Sequence, residues 1–150
     1  MEGLEELGYL GLFISSFLSA TLIPLSPEAV LGLLIYKGFK LWISIIVATL
    51  GNFFGSLTTY FFGYLGDWKK IEKFFKIKKR KVYSFKNKID KYGSFLAFFS
   101  WLPFIGDILT LSLGFFRANF KAVAFWIFIG KLMRFIVVAL LIYNGIKIVT

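Results

Sequence analysis

The chain has 150 residues, neither cysteine nor histidine, and a formal net charge of +10 from 18 basic and 8 acidic side chains. Without Cys and His it cannot form disulfides, Cys/His zinc sites or His-ligated haem, and the sequence predicts no metal and no cofactor. Hydrophobic residues make up 58% of the chain, more than a soluble domain of this length can bury. We therefore predict an all-α membrane protein.

Two prolines interrupt the first apolar segment, residues 7–27. Pro24 and Pro27 break the run, and Glu28 follows at once. Because proline disfavours helical backbone at the residue before it, the first helix is predicted to end near Leu22.

The apolar run after this break, residues 29–36, is too short to cross a membrane. As a helix it would reach about 12 Å, against a hydrocarbon core of about 30 Å. A re-entrant hairpin enclosed by protein fits better, because non-helical backbone at membrane depth is tolerated only there. The preceding arm, residues 7–22, would reach about 24 Å, so a shallow full crossing by that arm is the alternative.

Residues 41–66 contain no charged side chain and would reach about 39 Å as a helix, enough to cross the membrane with some tilt. Within them Gly51, Gly55, Thr59 and Gly63 recur every four residues and form a ridge of small side chains. Such ridges let another helix approach closely in lipid. We expect this ridge to pack internally; the alternative is a dimer face, and with it a homo-oligomer.

Residues 67–91, here called the connector, hold eleven of the 18 basic residues and three acidic ones. Basic loops face the cytoplasm, which places the connector inside and the amino terminus outside. Its apolar residues lie near one stripe, which predicts a basic amphipathic surface helix on anionic lipid. The alternative is a solvated connector packed on its neighbours. No folded nucleic-acid reader is recognisable, so membrane lipids and not nucleic acid are the predicted partners.

The second half, residues 92–148, repeats the pattern of residues 7–66. Pro103 and Gly106 interrupt its apolar run, and Asp107 follows. Neither apolar arm beside this break is long enough to span alone, which again predicts a re-entrant hairpin.

A last spanning helix is predicted over residues 122–146. It carries Lys131 and Arg134 within the apolar stretch, with Gly130 before them, and Arg117 precedes the helix.

Matching residues of the two halves lie 79 positions apart. These pairs are Pro24 and Pro103, Glu28 and Asp107, and Gly51 and Gly130. One full crossing per repeat is an odd number, so the second copy must be inverted, as in many transporters. We predict one transmembrane domain over residues 1–150, an inverted repeat of two re-entrant helical hairpins, each followed by a transmembrane helix, with the connector between the halves.

Charges within the membrane are costly and normally pair or face a wet cavity. We expect Glu28 and Asp107 to meet near the axis between the repeats, with Arg134 or Lys131 as counter-charge. The acids could carry protons or gate, and Arg134, Arg117 and Lys131 could bind an anion such as a phosphate head group. The structural alternative is a charge pair that only fixes helix register.

These segments together resemble the DedA superfamily (the SNARE-associated or VTT domain), in its YqaA branch. The matching residues are the segment 15–24 with Ser26, Pro27 and Glu28, the segment 49–52 with Gly55, Leu57, Thr58, Tyr60 and Gly63, the segment 100–107 with Gly114 and Arg117, and Gly130 with Lys131 and Arg134. They cover nearly the whole chain in the family's order.

The resemblance implies two facing re-entrant hairpins and a proton-linked role in envelope homeostasis. For the wider superfamily it implies lipid translocation, of undecaprenyl phosphate in bacteria and of phospholipids in eukaryotes. It gives Glu28 the place of the family's essential hairpin acid. It puts Arg117 and Arg134 at or near the basic positions in the second half of the family's pattern. The chain departs from many members at Trp101, where they have an arginine, and at Ser56, where they have an acid.

The predicted function is therefore a polytopic transporter of the plasma (inner) membrane, a proton-linked translocase of polyprenyl phosphate or phospholipid. A non-transporting membrane scaffold or lipid-organising protein is the alternative, and a transporter of a small ion ranks below it. An enzyme is not predicted, because without Cys and His only carboxylate chemistry is left.

Overall fold

A computed structural model describes residues 2–19, 27–102 and 105–149, and nearly all of these residues are helical. The helices are α1 (Glu2–Ser19), α2 (Pro27–Tyr36), α3 (Leu41–Leu65), α4 (Trp68–Phe75), α5 (Lys79–Tyr83), α6 (Lys86–Tyr92), a 3₁₀ helix (Gly93–Trp101), α7 (Ile105–Phe115) and α8 (Phe120–Val149). The predicted all-α fold is confirmed at this level.

Two helices among the described residues are long and apolar enough to cross a membrane, α3 and the Phe120–Gly145 part of α8. Only 28% of the most apolar stretch of α8 is buried against the rest of the protein. A helix that is apolar and also largely exposed suits a lipid environment, since water would oppose that exposure. The apolar part of α1, Glu6–Ser19, and α7 are shorter.

A short helix followed by a long helix occurs in both halves of the chain. Helices α2 and α7 end 79 residues apart, at Tyr36 and Phe115, and α3 and α8 begin 79 residues apart, at Leu41 and Phe120. The offset seen between single residues of the sequence therefore also holds for these two pairs of helix boundaries.

The predicted breaks lie partly outside the described residues, because Pro24 and Pro103 are not among them. Pro27 is the first residue of α2, a position that suits proline because the first helical N–H needs no partner. Gly106 was predicted to belong to the second break, and this is wrong: it lies in the first turn of α7. A Cβ at Gly106 would overlap the carbonyl oxygen of Ser100, so the glycine serves close packing there.

The arm before α7 is a nine-residue 3₁₀ helix, Gly93–Trp101. At about 2.0 Å rise per residue it reaches about 18 Å, further than an α-helix of the same length. Gly93 caps the end of α6 with a positive φ of 61°, which glycine adopts at no steric cost.

The connector was predicted to form one amphipathic helix, and this is wrong. It forms the short helices α4, α5 and α6, and α4 ends where Lys76 takes a left-handed conformation with φ 54°. Ile71, Ile77 and Val82 are buried in one cluster with Leu111 of α7. Three short helices can bend to follow the protein surface, which one straight helix cannot, so this apolar stripe packs on α7 instead of lying on lipid.

Helix α3 is the element on which α1 and α7 pack, and glycines allow the contacts. A Cβ at Gly51 would overlap the carbonyl oxygen of Phe13 in α1, and one at Gly63 would overlap that of Leu111 in α7. Gly55 is buried between them on α3. The ridge of small residues therefore faces other helices of the same chain.

Candidate functional site

Glu28 and Arg134 form an ion pair between two distant parts of the chain. Glu28 lies in the first turn of α2, and its Oε1 accepts from Nη2 of Arg134 in α8. Each side chain is 26% exposed, so the pair is largely withdrawn from the surface. A carboxylate in the first turn of a helix is also favoured by the helix dipole.

Asp107 and Lys131 lie beside this pair. Asp107 occupies the first turn of α7, as Glu28 does in α2, and interacts electrostatically with Lys131 and Arg134. Lys131 is only 3% exposed and interacts with both acids. These four residues, here called the charge cluster, are formally neutral together, which lowers the free-energy cost of holding them away from water.

Arg134 also contacts the end of the 3₁₀ helix. Its Nη1 donates to the carbonyl oxygen of Trp101 at 3.4 Å. Carbonyls at the end of a helix lack partners within the helix, and the five guanidinium donors of arginine can serve such a carbonyl and a carboxylate together. Arg134 thus links α8 to α2 and to the 3₁₀ helix.

A cavity of about 450 Å³ adjoins Arg134. Its lining residues are Phe98, Trp101, Gly130, Met133, Arg134, Val137 and Val138. Met133 and Val137 are 51% and 55% exposed, so the cavity opens toward the outer surface of the helices. Arg134 is the charged member of an otherwise apolar lining, a combination that suits a ligand with one anionic and one apolar part.

The apolar members of this lining were not predicted from the sequence. Gly130, Met133, Arg134 and Val137 recur at intervals of three, one and three residues, the spacing of a single helix face. That face could have been read from the sequence, but its partners Phe98 and Trp101 could not.

Arg117 does not join the charge cluster. It lies beyond the end of α7, ten residues from Asp107 and so about 15 Å along the helix axis. Its guanidinium stacks 4.5 Å from the centre of the Tyr64 ring, a cation–π contact, and its backbone has a positive φ of 55°. The structure therefore brings together Glu28, Asp107, Lys131 and Arg134 and leaves Arg117 apart.

Within the described parts of the chain, no three acidic side chains gather as ligands for a metal ion. The acids of the charge cluster face the basic groups of Lys131 and Arg134, as described above. The two carboxylates and the two cations of the charge cluster can exchange ion-pair partners with one another.

A family model of the VTT domain matches residues 23–144, which include all four members of the charge cluster. The chain belongs to the VTT domain family. The predicted membership of the DedA superfamily is thereby confirmed.

Relatives of this VTT-domain chain support the same assignment. The inner membrane protein YqaA of Escherichia coli K12 is 34% identical over 144 residues, covering 94% of this chain and 95% of the relative, which confirms the predicted YqaA-like branch. A Haemophilus influenzae protein described as uncharacterized is 37% identical over 133 residues, with 83% and 81% covered. The uncharacterized membrane protein YkoX of Bacillus subtilis is 30% identical, with 99% and 67% covered. No solved structure matches the chain.

Proposed function

We propose that this VTT-domain protein is a polytopic transporter of the plasma (inner) membrane, a proton-linked translocase of a lipid-linked phosphate in envelope homeostasis. The observation that carries the proposal is the ion pair of Glu28 and Arg134 at the wall of an apolar cavity. The inner membrane location is supported by the name of the E. coli relative and by the two apolar helices α3 and α8.

The cavity suits the two parts of a lipid-linked phosphate. The Arg134 guanidinium can bind phosphate oxygens through two parallel N–H donors. The apolar lining, including Phe98 and Met133, can hold part of a prenyl or acyl chain. Because Met133 and Val137 are exposed, a lipid could enter sideways from the membrane, with no passage through water.

Proton linkage follows from competition for Arg134. A phosphate that binds Arg134 displaces Glu28 from its ion pair and leaves Lys131 as the remaining counter-charge of the carboxylate. A carboxylate that loses its close partner away from water is costly, so Glu28 would take up a proton from solvent and become neutral. When the phosphate leaves, Arg134 returns to Glu28 and the proton is released. Asp107 and Lys131 would stabilise both states from the other side.

The proposed architecture is the inverted repeat of re-entrant hairpins. It is supported by the offset of 79 residues between the ends of α2 and α7 and between the starts of α3 and α8. It is also supported by the lengths of α2 and α7, 10 and 11 residues, which give about 15 Å of helix. Glu28 and Asp107 each lie in the first turn of such a short helix, so the acids would enter the membrane from opposite sides.

Reconstitution into liposomes tests the proposal. Labelled polyprenyl phosphate and phospholipid are followed across the bilayer with and without a pH gradient, for the wild type, Glu28→Gln, Arg134→Ala and the control Lys121→Ala, which changes an exposed basic residue. We expect transport to respond to the gradient, and both cluster variants to lose most of it while the control keeps it. Equal rates in all four proteins would refute the transport function.

A membrane scaffold is the second candidate, favoured by the pairing of Glu28 with Arg134. In a scaffold this pair would only fix the register of α2 against α8. A scaffold would move no lipid in the same liposomes, while the cluster variants would still lose stability. A small-ion transporter would instead carry a pH-dependent ion current with no movement of labelled lipid. Neither the proposal nor these rivals involves covalent chemistry.

A further inference from the structure

Hydroxyl side chains in the apolar helices usually bond back to their own helix. Seven described Ser and Thr hydroxyls donate to the carbonyl four residues earlier, those of Ser15, Ser44, Thr49, Thr58, Thr59, Thr110 and Ser112. This bond is the default where no better partner exists, because it satisfies the hydroxyl within its own helix.

Ser16 and Ser56 depart from this default although they are as deeply buried as most of the residues that follow it. Their side chains are 0% and 1% exposed, and neither Oγ has a hydrogen-bond partner within the described chain. The same holds for Oδ1 of Asn52, a residue that is 3% exposed. Buried polar atoms are nearly always satisfied in proteins, so three such atoms in one region indicate a polar partner outside the chain. (Ser100 Oγ, beside Trp101, is a fourth such atom elsewhere.)

Helix packing brings Ser16 of α1 against Asn52 of α3. The Asn52 amide nitrogen donates to the carbonyl of Ser16 at 2.9 Å and to Oγ of Ser19 at 3.1 Å. The neighbouring Gly51 permits this approach of α1 to α3. Ser56 lies one turn further along the same face of α3, about 6 Å along the axis. The amide nitrogen is thus used to tie the helices, and the amide oxygen is left for another partner.

The location is close to the middle of α3, which runs from Leu41 to Leu65 and is long enough to cross a membrane. At this depth lipid supplies no hydrogen bond, so any partner must be held by the protein. The partner must donate to the acceptor Oδ1 of Asn52 and can exchange hydrogen bonds with the two hydroxyls.

We infer that Ser16, Asn52 and Ser56 bind ordered water in a pocket between α1 and α3, near the centre of the membrane. Water donates and accepts, and a buried water makes about three hydrogen bonds, which these three groups can provide. A metal cation fits poorly, because it prefers charged carboxylates or many oxygens, and none of the three side chains is charged. The site goes beyond the proposed transport function, since it involves neither the cavity nor the charge cluster.

Single cysteines test the pocket, because the natural chain contains none. Ser16→Cys and Ser56→Cys are placed separately in protein reconstituted in nanodiscs and treated with Ag⁺, a probe small enough to enter a water site. The nucleophile is the thiolate, which is suppressed in apolar surroundings and forms more readily where water can solvate it. The control is Ala48→Cys, on α3 and equally buried but within an apolar cluster, and Ser84→Cys in the exposed part of the connector gives the rate for full accessibility.

We expect the thiols of both serine-site variants to react at least about tenfold faster than the thiol of Ala48→Cys, because a dry site suppresses the thiolate. Thermal melting confirms that each variant is folded, and two variants on different helices guard against the failure of one. The inference is overturned if the thiols at positions 16 and 56 react as slowly as that at position 48 in folded protein. It is equally overturned if the thiol at position 48 reacts as fast as they do, since reactivity would then report general opening of the helices.

Discussion

Arg134 is the residue on which the candidate site depends. It contacts the carboxylate of Glu28, the carbonyl of Trp101 and the apolar cavity. A planar guanidinium with five donors can make all these contacts together, whereas the compact ammonium of lysine cannot. On α8, accordingly, arginine stands at position 134, which contacts both Glu28 and Trp101. Lysine stands at the nearby buried position 131.

Neutralising both partners of the Glu28–Arg134 pair should destabilise the protein by less than the sum of the two single changes. Glu28→Gln or Arg134→Gln leaves the opposite charge without its partner, and we expect a loss of about 1–3 kcal/mol in the free energy of unfolding for each. The double variant should lose less than the sum of the two, with a coupling of about 0.5–3 kcal/mol for residues in contact. Chemical unfolding in detergent micelles measures the free energy of unfolding of the wild type, the two single variants and the double variant.

A second double-mutant cycle serves as the control and combines Glu28→Gln with Lys121→Gln. Lys121 is exposed at the start of α8. That cycle should be additive within about 0.5 kcal/mol. If the Glu28–Arg134 cycle were equally additive, the two side chains would not be in contact.

At the scale of elements, α3 is held by close backbone approaches at its glycines. Gly63 of α3 and Gly114 of α7 each face the backbone of the other helix, so that a Cβ at either would overlap a carbonyl oxygen. Without a hydrophobic driving force between helices in lipid, such approaches supply much of the packing energy. Tyr60 adds a hydrogen bond of 2.5 Å from its hydroxyl to the carbonyl of Ala118, which ties α3 to the turn after α7.

Gly63→Ala should weaken the packing of α3 on α7. The added methyl group must push apart two backbones, which costs about 1–3 kcal/mol for overpacking. Gly145→Ala is the control, because a Cβ there meets nothing within 4 Å and alanine is the better helix former by about 1 kcal/mol. We expect a lower melting temperature for the first variant and an unchanged or higher one for the second. Equal melting temperatures would show that α3 and α7 are not closely packed.

The connector shows how local patterns can mislead at this scale. Its apolar residues fit a helical stripe, but the left-handed turn at Lys76 ends α4 after eight residues. A side-chain carboxylate at the other end, that of Asp67, accepts from the backbone N–H of Lys70 at 3.4 Å and caps α4. The stripe then packs against Leu111 and Phe115 of α7, contacts that are distant in sequence and so invisible to periodicity.

At the scale of the whole molecule, charge asymmetry predicts how the protein lies in the membrane. The connector holds eleven of the 18 basic residues, so it should face the cytoplasm, with both termini outside. Because the connector packs on α7, the hairpin that contains α7 should have its mouth on the cytoplasmic side. The hairpin that contains α2 should have its mouth on the outside.

Single-cysteine labelling in intact cells measures this orientation. With a membrane-impermeant thiol reagent, we expect Glu6→Cys near the amino terminus to be labelled at once and Arg80→Cys in the connector only after the cells are opened. Both positions are exposed in the protein, so burial does not bias the comparison. Labelling of position 80 from outside intact cells would reverse the orientation and, with it, the assignment of the two hairpin mouths.

Composition and spacing by themselves determined the helical class, the helices α3 and α8, the 79-residue offset and the residues of the charge cluster. These are properties of local sequence, because an apolar run long enough to cross lipid has few other solutions. The sequence left open whether Arg134 or Lys131 is the counter-charge, and tertiary structure decided which basic residue pairs with Glu28. Arg134 pairs with Glu28 across 106 positions, while Arg117, an equally basic residue, stacks on Tyr64 at the far end of α7. The cavity, the 3₁₀ arm and the docking of the connector depend in the same way on how separate helices pack, and packing is a relation between residues that no single stretch of sequence contains.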